Sequence, residues 1–344
     1  MVAISDVAAR AGVSTATVSR HLRGQLVRSA EAIEAAIAEL DYTPSSVARS
    51  LKSGVKYAVA MVVPDVTNPF FASVVKGAET ASRRAQYNVF LYNTDEDPAR
   101  EQKIIRAVVH NVDGIILAPT TEHDEAPAIA RKAGVPLVFI DRTIATDAGD
   151  GVDTVLVDNT GGAAAAARHL IDLGHRRIAV IAGPLDTTPG RERYEGVLGE
   201  CRRRRVPIPE QYRRMSDFRE DGGYQQMLAL LALETPPTCV ISCNNSMTVG
   251  ALKALADMRV SVPEELSLVG FDDLDLAPLL SPPLTVVRRD AVAQGSLAMR
   301  LLLKRLEGET GKARSITLDT SLTVRGSCAP PPADGRPARR KAQR

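Results

Sequence analysis

From Tyr57 onward, short apolar runs alternate with longer stretches in which apolar residues recur every three or four positions. The runs predict strands at Tyr57 to Val63, Val89 to Tyr92, Gly114 to Ala118 and Leu137 to Ile140, with helices near Phe71 to Arg84, Pro98 to His110 and Asp124 to Ala133. A second series repeats the arrangement, with strands at Val155 to Val157, Ile178 to Ala182, Val240 to Ser242 and Leu266 to Val269. Its helices fall near Gly162 to Leu173, Arg191 to Arg204, Gly222 to Leu233 and Ser246 to Met258, and a late helix spans Val292 to Leu306. Strands almost free of polar residues are covered on both faces, so the pattern predicts parallel sheets flanked by helices. Two such series predict two doubly wound lobes, with a cleft at the carboxyl ends of the strands.

Before Tyr57 the periodicity is helical throughout. Ile4 to Arg20 reads as a short helix, a turn at Gly12 and a second short helix. Ser5 and Ser14 stand where N-caps belong, and Gly12 where a left-handed backbone stops the first helix. Val7, Ala8 and Ala11 face Val18 and Leu22 across a tight corner, the geometry of a helix-turn-helix. A third helix, Ser29 to Leu40, closes this small core with Ile33, Ala36, Ile37 and Leu40. The polar side of the second helix carries Thr15, Ala16, Thr17 and Arg20. The planar fork of Arg20 suits guanine O6 and N7, and Thr15 and Ala16 suit a thymine methyl. The plainer alternative is the solvated face of an ordinary helical hairpin.

Composition narrows the function classes. The 344 residues are 44% hydrophobic, enough for two or three cores. No apolar stretch approaches the roughly 20 residues of a membrane helix, and Ser5, Asp6 and Arg10 interrupt any leader-like run. Net charge is only +2, and residues 1–52 hold six Lys/Arg against five Asp/Glu, which argues against indiscriminate coating of DNA. The four cysteines form no CxxC pair and read as free thiols in a reducing compartment. The run Cys201 to Arg205 reads as the cationic end of a helix. The five histidines are scattered, and no HExxH, GxSxG or phosphate-loop motif is present, so catalysis finds little support.

Several further segments carry a resemblance. Tyr42-Thr43-Pro44-Ser45-Ser46-Val47-Ala48-Arg49-Ser50-Leu51-Lys52, Val63 to Phe71, Asn93 to Pro98, Val112 to Leu117, Leu173 to Ile178 and Val269 to Asp273 follow the helix-turn-helix in one order. Together they resemble the LacI/GalR family of bacterial repressors, from the N-terminus to about Cys328. The resemblance implies an N-terminal all-α helix-turn-helix headpiece plus an α/β two-lobed periplasmic-binding-protein type I core. It implies a DNA-binding domain at 1–52 with a hinge helix at about 45–52, a linker at 53–56, and an effector-binding and dimerisation domain at 57–328. Lobe 1 would take about 57–156 and 287–314, and lobe 2 about 157–286 and 315–328, with crossings near Val157, Val286 and Arg314. Residues 329–344, with Pro330 to Pro332, read as a disordered basic tail.

Carried over position by position, the effector contacts would be Phe70, Phe71, Asp141, Arg193, Phe218, Asn244 and Asp272. Two carboxylates, an amide and an arginine suit a sugar-like, hydroxyl-bearing effector, and the phenylalanines suit stacking on its ring. Each has a plainer alternative: Asp141 and Asp272 as loop caps, Phe70 as core. In the hinge, Leu51 would wedge into the minor groove, with Ala48 and Lys52 lining it. The expected partners are a double-stranded DNA operator, a small-molecule effector and a second copy of the chain, in the cytoplasm, with no cofactor and no membrane. Enzyme and exported solute receptor are the alternatives from other classes. The chain departs from the family's pattern in a shorter connection at Arg23 to Arg28 and in Asn245, which stands where Asp is usual.

Overall fold

The structure, a computed structural model, describes residues 2–22, 25–42, 54–122, 125–144 and 151–332. The chain divides into two compact units between Tyr57 and Ala58.

The first unit contains helices α1 (Ile4–Arg10), α2 (Thr15–Leu22) and α3 (Ala30–Glu39). Val7, Val18 and Ile33 are fully buried, one from each helix, and Ala8 and Ala36 fill the gaps between them. Gly12 has φ +65° in the corner between α1 and α2, as its place in the sequence requires. Ser14 accepts a hydrogen bond from the Thr17 amide at 3.2 Å, as an N-cap does. The expected cap at Ser5 is corrected. The helix starts at Ile4, Ser5 lies inside it, and Asp6 accepts from the Ala3 amide at 2.8 Å instead. A carboxylate in the first turn also complements the helix dipole, so α1 needs no serine cap.

The second unit holds two six-stranded sheets among the described residues. The first lobe contains β1 (Ala58–Val63), α4 (Pro69–Arg84), β2 (Asn88–Asn93), α5 (Pro98–Val108), β3 (Gly114–Leu117), α6 (Ala126–Lys132), β4 (Leu137–Ile140) and β5 (Asp153–Val157). The second contains α7 (Asn159–Asp172), β6 (Ile178–Ala182), α8 (Thr188–Arg203), β7 (Arg213–Met215), α9 (Glu220–Leu231), β8 (Cys239–Ser242), α10 (Asn245–Asp257), β9 (Ser267–Phe271) and β10 (Thr285–Arg288). Helix α11 (Ala291–Leu306) returns to the first lobe and packs on α4. The two backbones come so close that a Cβ on Gly77 would strike the Val292 carbonyl, and one on Gly295 the Val74 carbonyl. Strands β11 (Ser315–Leu318) and β12 (Ser321–Thr323) end one sheet each. The orders are β11-β5-β4-β3-β1-β2 and β12-β10-β9-β8-β6-β7, parallel throughout except for β10 against β12. Central strands β1, β3, β4, β6, β8 and β9 are buried along their whole length, which explains their unbroken apolar runs.

Pairing corrects the lobe boundaries. Val155 to Val157 belongs to the first sheet, not the second series, because β5 pairs with β4. The second crossing comes after Arg288, since Val286 and Val287 pair with β9. The third comes at Asp319 and Thr320, because Ser315 to Leu318 pairs with Thr154 to Val157, so residues 315–318 belong to the first lobe. The tail is also corrected at its start. The Ala329 carbonyl accepts from His175 Nε2 at 2.9 Å and from Ser267 Oγ at 3.1 Å, and Pro331 lies beside Gly174. Burial lowers the His175 pKa, and the neutral ring, protonated on Nε2, can accept from Thr238 through Nδ1 at 2.8 Å. Residues 333–344 lie outside the described residues.

Candidate functional site

The carboxyl ends of both sheets open onto one cleft, and all seven residues expected as effector contacts line it. Asn68 caps α4 by accepting from the Phe70 amide at 2.9 Å, which places Phe70 and Phe71 in the first helical turn, ring centroids 4.9 Å apart and edge to face. Asp141 follows β4 with φ +65°, and Asp272 follows β9 with φ +69°. Phe218, also at φ +65°, packs on Gly183, where any Cβ would collide with its ring. Left-handed backbone at a non-glycine residue costs on the order of 1–3 kcal/mol and persists only where the surroundings enforce it. Here four such residues line the same cleft, Glu96 at φ +58° being the fourth.

Arginines organise its charge. Arg193, on α8, is 1% exposed. Its Nε donates to Asn159 at 2.8 Å, its Nη1 to the Cys243 carbonyl at 2.7 Å and to Asp272 at 3.5 Å, and it lies 3.7 Å from the Phe271 ring centroid. Its Nη2 is buried with no protein partner. Burial lowers the Arg193 pKa, and the Asp272 charge opposes that shift. Arg142 makes a bidentate pair with Glu96, both bonds 2.7 Å, and stands 5.3 Å from the Phe218 ring centroid in the other lobe. Arg289, just after β10, bonds both Asp141 and Asp272. Burial pushes the Asp141 carboxyl up, but the charges of Arg289, Arg193 and Arg142 outweigh it and hold the pKa below the ordinary value. Asn244 lines the cleft with its amide already committed, its Oδ1 to the Met247 amide at 2.8 Å and its Nδ2 to the Phe218 carbonyl at 2.9 Å. It caps α10 and holds the Phe218 loop.

The lobes are joined at the rim as well. Asn245 donates to Asn68 at 2.9 Å, Arg219 to Asp95 at 3.1 Å and Thr188 to Glu122 at 3.0 Å. Sequence reasoning missed Asn68, Glu96, Arg142 and Arg289. Arg142 and Glu96 carried a signal, being next to Asp141 and inside the Asp95-Glu96-Asp97 motif. Arg289 carried none beyond its place after a short strand.

In the first unit, Thr15, Ala16 and Arg20 are exposed on α2. Thr17 is half-buried, its hydroxyl 2.9 Å from Ser14 Oγ and 3.4 Å from Arg20 Nη2. Ala48, Leu51 and Lys52 lie outside the described residues. Arg203 and Arg204 pair with Glu200 and Asp172, so part of the Arg202 to Arg205 run is already neutralised. All four cysteines are free, and burial pushes the Cys243 thiol up to about 12 and Cys201 up to about 11. Among the described residues no His, Cys, Asp and Glu group is placed to hold a metal ion, and no helix is long and apolar enough to cross a membrane.

The family pattern described as "Bacterial regulatory proteins, lacI family" matches residues 3–45, and that of a "Periplasmic binding protein-like domain" matches residues 167–328. Over 333 residues the chain is 36% identical to the ribose operon repressor of Escherichia coli (strain K12), covering 95% of this chain and all of the relative. The chain belongs to the LacI family. Among solved structures, this LacI-family protein is similar to a transcriptional regulator CelR–cellobiose complex, with 31% identity and a TM-score of 0.74 over 95% of this chain and 100% of that one. It is also similar to the Lac repressor dimer bound to operator and an anti-inducer, with 26% identity and a TM-score of 0.82 over 95% and 99%. The family's repressors bind DNA and respond to small-molecule effectors, and these relatives are regulators rather than enzymes.

Proposed function

We propose that this protein is a cytoplasmic transcriptional repressor that binds a palindromic operator as a homodimer and takes a sugar-like effector between its lobes. The observation that carries the reading is the convergence of Asp141 and Asp272, one from each lobe, on a single guanidinium, beside Phe70 and the partnerless Nη2 of Arg193. Two carboxylates accept hydroxyl protons, an arginine donates to hydroxyl or ring oxygens, and an aromatic face covers C–H groups. An occupant bonded to both lobes stabilises their closure by its difference in affinity for the closed and open states. One α2 helix reads only a few base pairs, so two copies on a two-fold site supply specificity. Arg20, Thr15, Ala16 and Thr17 would read the major groove, and Ala48, Leu51 and Lys52 the minor groove between half-sites. No step of this function needs catalysis or a cofactor.

A thermal-shift series with neutral monosaccharides tests the cleft. The reading expects a saturable rise in melting temperature with at least one, lost in Asp272→Asn. Stabilisation that persists unchanged in Asp272→Asn would place the ligand elsewhere.

A further inference from the structure

Arg289 sits where the proposed effector would lie. Its guanidinium is 3.4 Å from the centroid of the Phe70 ring. Its Nε and Nη2 donate to the two oxygens of Asp272, the latter at 2.9 Å, and its Nη1 donates to Asp141 in the other lobe. These are the ring face and the two carboxylates that a polyhydroxylated ring would use. With the guanidinium in place, the free volume in the cleft is about 20 Å³, room for a water molecule or two. With the lobes in this arrangement, a sugar and this side chain cannot both occupy the cleft.

The same guanidinium also forms a wall. A second cavity of about 730 Å³ shares Phe70, Asp272 and Arg289 with the cleft, and Asp275, Asp290 and Asp319 also line it. Asp290 caps α11 through the Ala293 amide at 2.8 Å, while Asp275 and Asp319 are exposed carboxylates. An arginine has a long, flexible stem, so a change of rotamer can carry its head from one cavity to the other. Carboxylates border both positions, outnumbering Lys76 and Arg288 in the second, so the cation need not be left unpaired after the move.

We propose that Arg289 is a displaceable stand-in for the effector. It bridges the lobes in the unliganded protein, and an entering neutral, polyhydroxylated ring displaces it from Phe70, Asp141 and Asp272 toward Asp275 and Asp319. This rests on the sugar-like effector proposed above and adds a rule of selection. The occupant must replace three guanidinium donors and cover the Phe70 face, so a ring lacking one of the matching hydroxyls leaves Arg289 in place. Once Arg289 has moved, Asp141 and Asp272 keep Arg193 as the nearer cation, 3.5 Å from Asp272, so the site left behind favours a neutral ring over an anion. Apparent affinity is reduced by the fraction of molecules in which Arg289 has vacated the site.

Chemical rescue of the full-length chain tests this without knowledge of the natural effector. In Arg289→Ala, and in Arg289→Gln should the first variant fold poorly, methylguanidinium at non-denaturing millimolar concentration should raise the melting temperature saturably, with no such effect on the wild type. D-ribose is the second probe, read by calorimetry, and should bind Arg289→Gln at least about tenfold more tightly than the wild type. Absence of saturable methylguanidinium binding in both variants would overturn the proposal, as would weaker D-ribose binding in Arg289→Gln, which would make Arg289 an ordinary ligand contact. Methylguanidinium rescue without D-ribose binding by any form supports the stand-in role and counts against ribose as the effector.

Discussion

Asn245 in the second lobe donates its side-chain amide to Asn68 Oδ1 in the first, at 2.9 Å, and both residues are buried. The same Asn68 oxygen caps α4, so the bond between lobes and the placement of Phe70 share one acceptor. The resemblance to the family implies Asp at this position, and an ionised Asp has no proton to donate there. Asn245→Asp should therefore remove the bond and set a carboxylate against an oxygen. We expect the closed form to lose about 0.5–1.5 kcal/mol and effector affinity to fall by up to about tenfold. Calorimetric titration of any compound that stabilises the wild type checks this, and unchanged affinity would show that the bond does not hold the lobes together.

The exposed face of α2 makes a separate prediction. Arg20→Ala should weaken operator binding by about 1–3 kcal/mol and relax the choice of base at one position per half-site. Binding to a panel of single-base operator variants measures both effects. An equal loss on every sequence would reassign Arg20 to a phosphate contact.

Asp153, at the start of β5, is 1% exposed and accepts from Arg305 Nε and Nη2 at 2.9 Å, from the Arg314 amide at 2.8 Å and from Arg314 Nη2 at 3.0 Å. Burial pushes its carboxyl up, but these bonds outweigh the burial and hold the pKa at about 2, below the ordinary 3.8. A folded-state pKa below the unfolded one gives stability that is present above the ordinary value and is lost as pH falls through the lower one. The shift corresponds to on the order of 2 kcal/mol at neutral pH. Asp153→Asn should be less stable by roughly that amount at pH 7, with the gap narrowing between about pH 4 and pH 2. Denaturant melts across that range read it directly, and a deficit independent of pH would assign the loss to packing.

The hinge helix that the resemblance implies at about 45–52 would be too short to be stable alone, since helices below about 12 residues are marginal in water, so we propose that Ser46 to Leu51 folds only on DNA. Its amides should exchange freely without operator and gain protection with it. Equal exchange in both states would remove DNA-coupled folding from the account.

The layered α/β order was legible because central strands such as β1 and β3 are apolar along their whole length. Of the edge strands, β2 showed its apolar run at Val89 to Tyr92, but β7, β11 and β12 did not. β7 reads Arg213-Arg214-Met215, and β11 alternates exposed and half-buried residues, so neither shows a run that periodicity can find. The misplaced crossings at Val286 and Arg314 have the same origin, because the sheet a strand joins is set by its partner and not by its own sequence. In the cleft, Asp141, Arg193 and Asp272 came from the resemblance, while pattern alone gave only the strand ends. Arg289 was illegible for a physical reason: next to Arg288 it reads as a solvated charge pair, yet its side chain is only 4% exposed, folded between carboxylates from two lobes.

The central claim is that occupancy of the cleft controls operator binding. Fluorescence anisotropy is the most direct measurement, using a palindromic DNA selected in vitro by the protein, with and without a compound that raises its melting temperature. The account predicts that the compound changes wild-type DNA affinity by about tenfold or more, a coupling of on the order of 1–3 kcal/mol. It also predicts that Arg193→Ala and Asp272→Asn bind the DNA but no longer respond. A compound that occupies the cleft, shown by its loss in Asp272→Asn, yet leaves wild-type DNA affinity unchanged would contradict it.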